Sequence, residues 1–172
     1  MSQLTGTRIF NAIKGLFSSL DETDAALLKK VLGVRFKVRI PLTDGGTAAT
    51  AVGATPFFTN DYGVSLKVVS ANFMAPVTIG TGATDNATFT ISKVDSAGTN
   101  SATVASYTSD VAGGTATADV PKALTVVGGT STVAVLASGW TLRAAVSKGA
   151  SGVAIAESTA PGFLETWLEF DT

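Results

Sequence analysis

The sequence contains no cysteine and no histidine. No disulfide can form, so cysteine usage carries no information about compartment. The missing histidine removes the commonest general base and the commonest zinc ligand together. Ser-His-Asp and Cys-His nucleophile systems are therefore impossible within the chain. No apolar run approaches the roughly 20 residues needed to span a bilayer, and the start lacks a continuous apolar leader core. A soluble product is expected. Charge is also scarce, at 15% of residues, and aromatic residues reach only 8%.

What is present is Ala, Val, Thr, Ser and Gly, concentrated between positions 43 and 159. Long helical bundles need far more Leu, Glu and Lys. Abundant β-branched residues with little charge point to strands and tight turns. At 172 residues the chain fits one compact domain with an arm or modest extension. The net charge of −1 is unevenly spread. Positions 1–40 hold seven basic residues (Arg8, Lys14, Lys29, Lys30, Arg35, Lys37, Arg39) and three acids (Asp21, Glu22, Asp24), giving +4; the remainder carries −5. Such a bias suggests contact with an acidic surface, nucleic acid or anionic lipid. The charges are interleaved with acids and apolar residues, which makes solvated faces the better reading, and no nucleic-acid or membrane partner is expected.

Along the chain, Ile9, Phe10, Ile13, Leu16, Phe17 and Leu20 recur at helical spacing and form one apolar stripe. Ser19 and Glu22 stand as a capping box before a second apolar face of Leu27, Leu28, Val31 and Leu32, closed by Gly33. The spacing predicts helices over 7–17 and 20–32. Strict alternation follows, with Val34, Phe36, Val38 and Ile40 against Arg35, Lys37 and Arg39, which is a half-buried strand with a basic outer face ended by Pro41. Residues 42–60, rich in Thr, Ala and Gly, read as a long loop or extended arm. From position 62 onward short strands alternate with turn residues. They are expected at 63–73, 87–94, 103–107, 115–120, 124–127, 132–137, 140–147, 153–156 and 163–170. On the last strand Leu164, Thr166, Leu168 and Phe170 share one face, and Phe163, Glu165, Trp167 and Glu169 share the other. Trp167 suits a subunit contact or packing under a neighbouring loop. No fixed period argues for a propeller or solenoid.

The expected fold class is mainly β, a jelly-roll-like antiparallel β-sandwich preceded by a short α-helical N-terminal segment. Its organisation would be a helical arm at 1–33, a basic strand with a long connecting loop at 34–61, and the sandwich at 62–172.

The search for chemistry comes back empty. Only oxygen ligands remain for a metal, and the acids stand singly beside turn-forming residues. Asp85-Asn86 and Thr59-Asn60-Asp61 each offer two ligands to a loop calcium, but turn chemistry explains them better. Glu165 and Glu169 fall on one strand face about 13 Å apart by strand rise, too far for a glycosidase pair. Gly80-Thr81-Gly82 lacks the third glycine and the helix of a dinucleotide fingerprint. Ser147 and Lys148 are adjacent, so their side chains diverge in a strand. No catalytic constellation, cofactor or metal site is expected, and the chain reads as a non-enzyme.

Two runs carry a family resemblance: Val68-Val69-Ser70-Ala71-Asn72-Phe73-Met74-Ala75-Pro76, and Asp85-Asn86-Ala87-Thr88-Phe89-Thr90-Ile91-Ser92-Lys93-Val94-Asp95-Ser96-Ala97-Gly98. With the later Gly139-Trp140-Thr141-Leu142-Arg143-Ala144-Ala145-Val146-Ser147-Lys148-Gly149, they resemble head decoration (cement) and head-fibre proteins of tailed bacteriophages over about residues 62–170. The resemblance implies a jelly-roll-like fold and a homo-oligomer, with a trimer favoured over a dimer. It also implies an N-terminal segment that clamps the major capsid protein on the outer surface of the virion. The residues expected to meet a partner are Ile9, Phe10, Ile13, Leu16 and Phe17 on the arm, Arg35, Lys37 and Arg39 on the basic strand, and Trp167. A receptor- or carbohydrate-binding module of a fibre or spike is the alternative, since jelly rolls serve both roles.

Overall fold

The computed structural model describes residues 35–41, 52–82, 86–110, 112–127, 134–148 and 162–171. The helices expected over 7–17 and 20–32, and the strand expected over 153–156, lie outside these residues. Among the described residues there are nine strands and no α-helix: β1 (Arg35–Pro41), β2 (Val52–Thr59), β3 (Leu66–Met74), β4 (Ala87–Val94), β5 (Ser101–Thr108), β6 (Lys122–Val126), β7 (Val135–Leu136), β8 (Thr141–Lys148) and β9 (Phe163–Phe170).

Period-two patterning explains the strands. In β4, Ala87, Phe89 and Ile91 are buried while Thr88, Thr90 and Ser92 are half-buried on the other face. In β9 the buried positions are Leu164, Thr166 and Leu168. All pairings are antiparallel, in the order β1-β9-β3-β6-β5-β4-β8-β2, with the short β7 also on β3.

The sheet curls into a nearly closed barrel. β3 and β4 are separated by two strands in that order, yet Phe73 and Phe89 stack at 3.9 Å between ring centroids, so they meet across the interior. Tyr107 joins them at 5.1 Å. Leu66, Ile79, Ile91, Leu136, Leu142, Leu164 and Leu168 fill the rest of the core. Each such side chain contributes about 1.5–3 kcal/mol by leaving water. The two ends of the strand order come together through side chains: Phe36 of β1 lies 5.8 Å from Phe58 of β2 and 5.7 Å from Tyr62, which in turn lies 6.1 Å from Phe170. An aromatic seam stands where backbone pairing would complete the ring.

The expected class holds in its coarser part, mainly β and antiparallel. The described strands do not divide into two separate sheets, because β6 belongs to both halves. Its first part, Lys122–Leu124, pairs with β3, while Thr125 and Val126 pair with β5. Two local expectations are corrected. Residues 52–59, read as part of a loop, form β2 on the edge of the sheet; Pro56 is tolerated because its missing N–H falls on an edge strand with irregular register. Residues 115–120, read as a strand, make a single bridge between Ala116 and Ile79 and then turn. Their alternating apolar positions are small, and Val120 stays 51% exposed, so little burial drives pairing there. Asp119 takes a positive φ of 57° while its N–H bonds to the Ala75 carbonyl. Just before this turn Gly113 passes so close to the Thr108 carbonyl that a Cβ there would overlap its oxygen.

Candidate functional site

The side chains with most chemistry lie on the outer face of β1, β9 and β3. Register sets Arg35 opposite Glu169, Lys37 opposite Trp167 and Arg39 opposite Glu165. On the other side of β9, Glu169 faces Lys67, Trp167 faces Ser70 and Glu165 faces Asn72. Directly opposed residues share a face, so these form one continuous surface.

Within it the cations are oriented by β9. The Arg35 Nε donates to Glu169 Oε2 at 3.1 Å, and Lys37 Nζ lies 3.2 Å from Glu165 Oε2. Lys37 also sits 5.3 Å from the centroid of the Trp167 ring, and the Arg39 guanidinium lies 3.3 Å from that of Phe163. Cation–π contact and exposed ion pairs each contribute on the order of 0.2–1 kcal/mol, so the ladder orders side chains more than it stabilises the fold. Arg35 remains 62% exposed and Lys37 40% exposed, against 31% and 14% for their glutamates. The cations are thus outermost. Beside Phe163 a shallow depression of about 390 Å³ is lined by Arg39, Ile40, Pro41, Met74 and Gly162.

Of the residues singled out from sequence, Arg35, Lys37, Arg39 and Trp167 come together on this face. Ile9, Phe10, Ile13, Leu16 and Phe17 lie outside the described residues. Sequence reading missed that Glu165, Glu169 and Phe163 are the cations' partners. Their shared strand parity was visible, but the pairing of the first described strand with the last was not.

It also missed a buried polar cluster at one end of the barrel. Asn60 has no exposed surface. Its amide nitrogen donates to the carbonyl oxygens of Val64 and Leu136, both at 2.8 Å, and its Oδ1 accepts from the Tyr62 N–H at 3.2 Å. These bonds tie Asn60 to three separate backbone positions and set Tyr62 beside the aromatic seam. Nearby, Lys93 lies on an inward position of β4, donates to the Val135 carbonyl at 2.7 Å and sits 4.9 Å from the Trp140 ring centroid. Burial pushes its ammonium pKa below the ordinary lysine value.

Among the described residues no group of three or more acidic side chains gathers to hold a metal ion. Asp95 has its carboxylate taken by its own hairpin, through the Thr99 N–H at 2.8 Å, the Thr99 hydroxyl at 3.0 Å and the Asn100 amide at 2.6 Å. The arrangement as a whole offers recognition: an outer sheet face with outward cations on aromatic supports. No protein-family model matches the chain, and no curated protein matches it.

Proposed function

We propose that this chain is a structural virion protein, a capsid decoration or cement protein that binds and stabilises the shell of major capsid protein from its outer surface. The observation that carries the reading is the outer face of β1 and β9, where Arg35, Lys37 and Arg39 are held in a row by Glu169, Glu165, Trp167 and Phe163. A surface that works by adhesion benefits from preorganised side chains on a rigid sheet, because little conformational freedom is lost on docking. Repetition over a symmetric shell then multiplies weak contacts. The reading extends to a homo-oligomer, with a trimer favoured, to a jelly-roll-like arrangement of the whole chain, and to a helical arm at 1–33. On that arm the stripe Ile9, Phe10, Ile13, Leu16 and Phe17 docks on a capsid subunit. No chemistry, cofactor, nucleic acid or membrane enters it.

The test is binding to isolated empty heads, followed by imaging of the decorated particles. The full chain is expected to coat them at regular lattice positions, and a chain lacking residues 1–32 to remain folded but fail to attach. Normal coating by the shortened chain would overturn the role of the arm. Absence of coating by the full chain, with clear binding on a glycan array, would replace the proposal with a carbohydrate-binding one.

A further inference from the structure

We infer that the open edge of β1 is a strand-addition site whose occupant is an extended segment of another protein carrying carboxylates at alternate positions. The two strands that end the sheet order are built differently. β2 carries Pro56 and two register shifts, devices that keep an edge from offering a continuous row of backbone donors and acceptors. β1 pairs with β9 in unbroken register from Arg35 to Pro41, and among the described residues no strand pairs with its opposite edge. A segment laid along it would gain backbone hydrogen bonds over residues 35–40, ending at Pro41, which has no N–H. It would also lie one strand spacing, about 4.8 Å, from β1, with every second side chain on the face of Arg35, Lys37 and Arg39.

Charge selects the occupant. Within β1, β9 and β3 the outer face holds four cations (Arg35, Lys37, Arg39, Lys67) and two carboxylates (Glu165, Glu169). Both carboxylates stand on β9, on the far side of β1 from the open edge, and among the described residues Arg39 has Phe163 rather than an acid as its partner. A second copy of β1 would bring its own three cations alongside these, and like charges directly opposite are destabilising. Phosphates of nucleic acid or lipid would answer the charge and leave the backbone row unpaired. An acidic strand satisfies both. The site does not depend on that strand belonging to a capsid subunit.

Amide hydrogen exchange on the full chain tests the inference. In the free protein, amides on the open edge of β1 are expected to exchange much faster than those of β3 and β4. A nine-residue peptide of alternating glutamate and threonine is expected to slow them, while the same peptide with lysine in place of glutamate leaves them unchanged. The double variant Arg35→Gln, Lys37→Gln is expected to bind the glutamate peptide about tenfold more weakly. The single variant Arg39→Gln gives an independent reading that leaves both ion pairs intact. Protection of β1 in the free chain equal to that of β3 overturns the inference. So does binding of the glutamate peptide with no change at β1, equal binding of the lysine peptide, or self-association of the chain through β1.

Discussion

Replacing Asn60 by aspartate keeps the shape of the side chain and exchanges its NH2 group for an oxygen. In the folded chain that group donates to two carbonyl oxygens at 2.8 Å, at a position with no exposed surface. A carboxylate there faces two carbonyl oxygens with no hydrogen between them. Folding must then bury an opposed charge or take up a proton, and the second route caps the cost. Protonating a carboxyl of ordinary pKa, about 3.9, at pH 7 costs about 4 kcal/mol at about 1.36 kcal/mol per pH unit. The neutral acid restores only one of the two donated bonds, a further loss of about 1 kcal/mol. The expected deficit at pH 7 is therefore about 4–5 kcal/mol, a large share of the roughly 5–15 kcal/mol that holds a domain folded. Its pH dependence is diagnostic. The introduced carboxyl has its folded-state pKa raised above the unfolded value. The charge penalty is thus present at neutral pH and disappears as the pH falls below the unfolded pKa, leaving about 1 kcal/mol. Urea unfolding reports it through the fluorescence of Trp140, whose carbonyl accepts the Asn60 N–H at 2.9 Å. The comparison is N60D minus unsubstituted chain, at pH 7 and near pH 3.5. A deficit equal at the two pH values, or below about 1 kcal/mol at pH 7, would refute the donor role assigned to Asn60.

Two further outcomes follow from buried and hydrogen-bonded oxygens. The hydroxyl of Thr166 is buried on the inner face of β9 without a hydrogen-bond partner, so Thr166→Val should raise stability by about 1 kcal/mol in the same unfolding assay; a loss of that size would contradict it. Desolvation acts to raise the carboxyl pKa of Asp95, but the bonds from Asn100 and Thr99 outweigh it and hold the value at about 2. Because the folded pKa is depressed, the stabilisation from this group is present above its unfolded pKa and is lost as the pH falls through about 2. Carboxyl NMR titration should find that midpoint, and Asn100→Ala should move it upward; a midpoint at the ordinary value would show that the hairpin does not engage the carboxylate.

Patterning made part of this fold legible. The alternation at 34–40 assigned an outer face and that at 163–170 two separate faces, and both divisions agree with the burial in β1 and β9; strand β4 falls where Thr, Ile and Phe alternate between turn residues. β2 was not legible, because edge strands are stabilised by their neighbour rather than by an apolar stripe of their own; its register on β8 shifts twice in eight residues. The stretch at 115–120 failed in the opposite sense, showing period two with side chains too small to reward pairing. Closure into a barrel was invisible because it depends on β6 changing partners midway and on Phe36, Phe58, Tyr62 and Phe170, drawn from three separate stretches of the chain, meeting at one seam. The candidate surface was half legible. Arg35, Lys37, Arg39 and Trp167 could be assigned to outward positions one strand at a time, whereas their meeting is a property of long-range pairing. Asn60 and Lys93 broke the pattern, polar residues at interior positions, and their partners are backbone carbonyls that no side-chain pattern reports.

Adhesion through the cationic row of β1 is measured most directly by co-sedimentation with isolated empty heads. The triple variant Arg35→Gln, Lys37→Gln, Arg39→Gln, with its thermal unfolding checked against the unsubstituted chain, is expected to stay in the supernatant under conditions where the unsubstituted chain pellets with the shells. Equal pelleting of the two proteins, or failure of the unsubstituted chain to pellet at all, would contradict it.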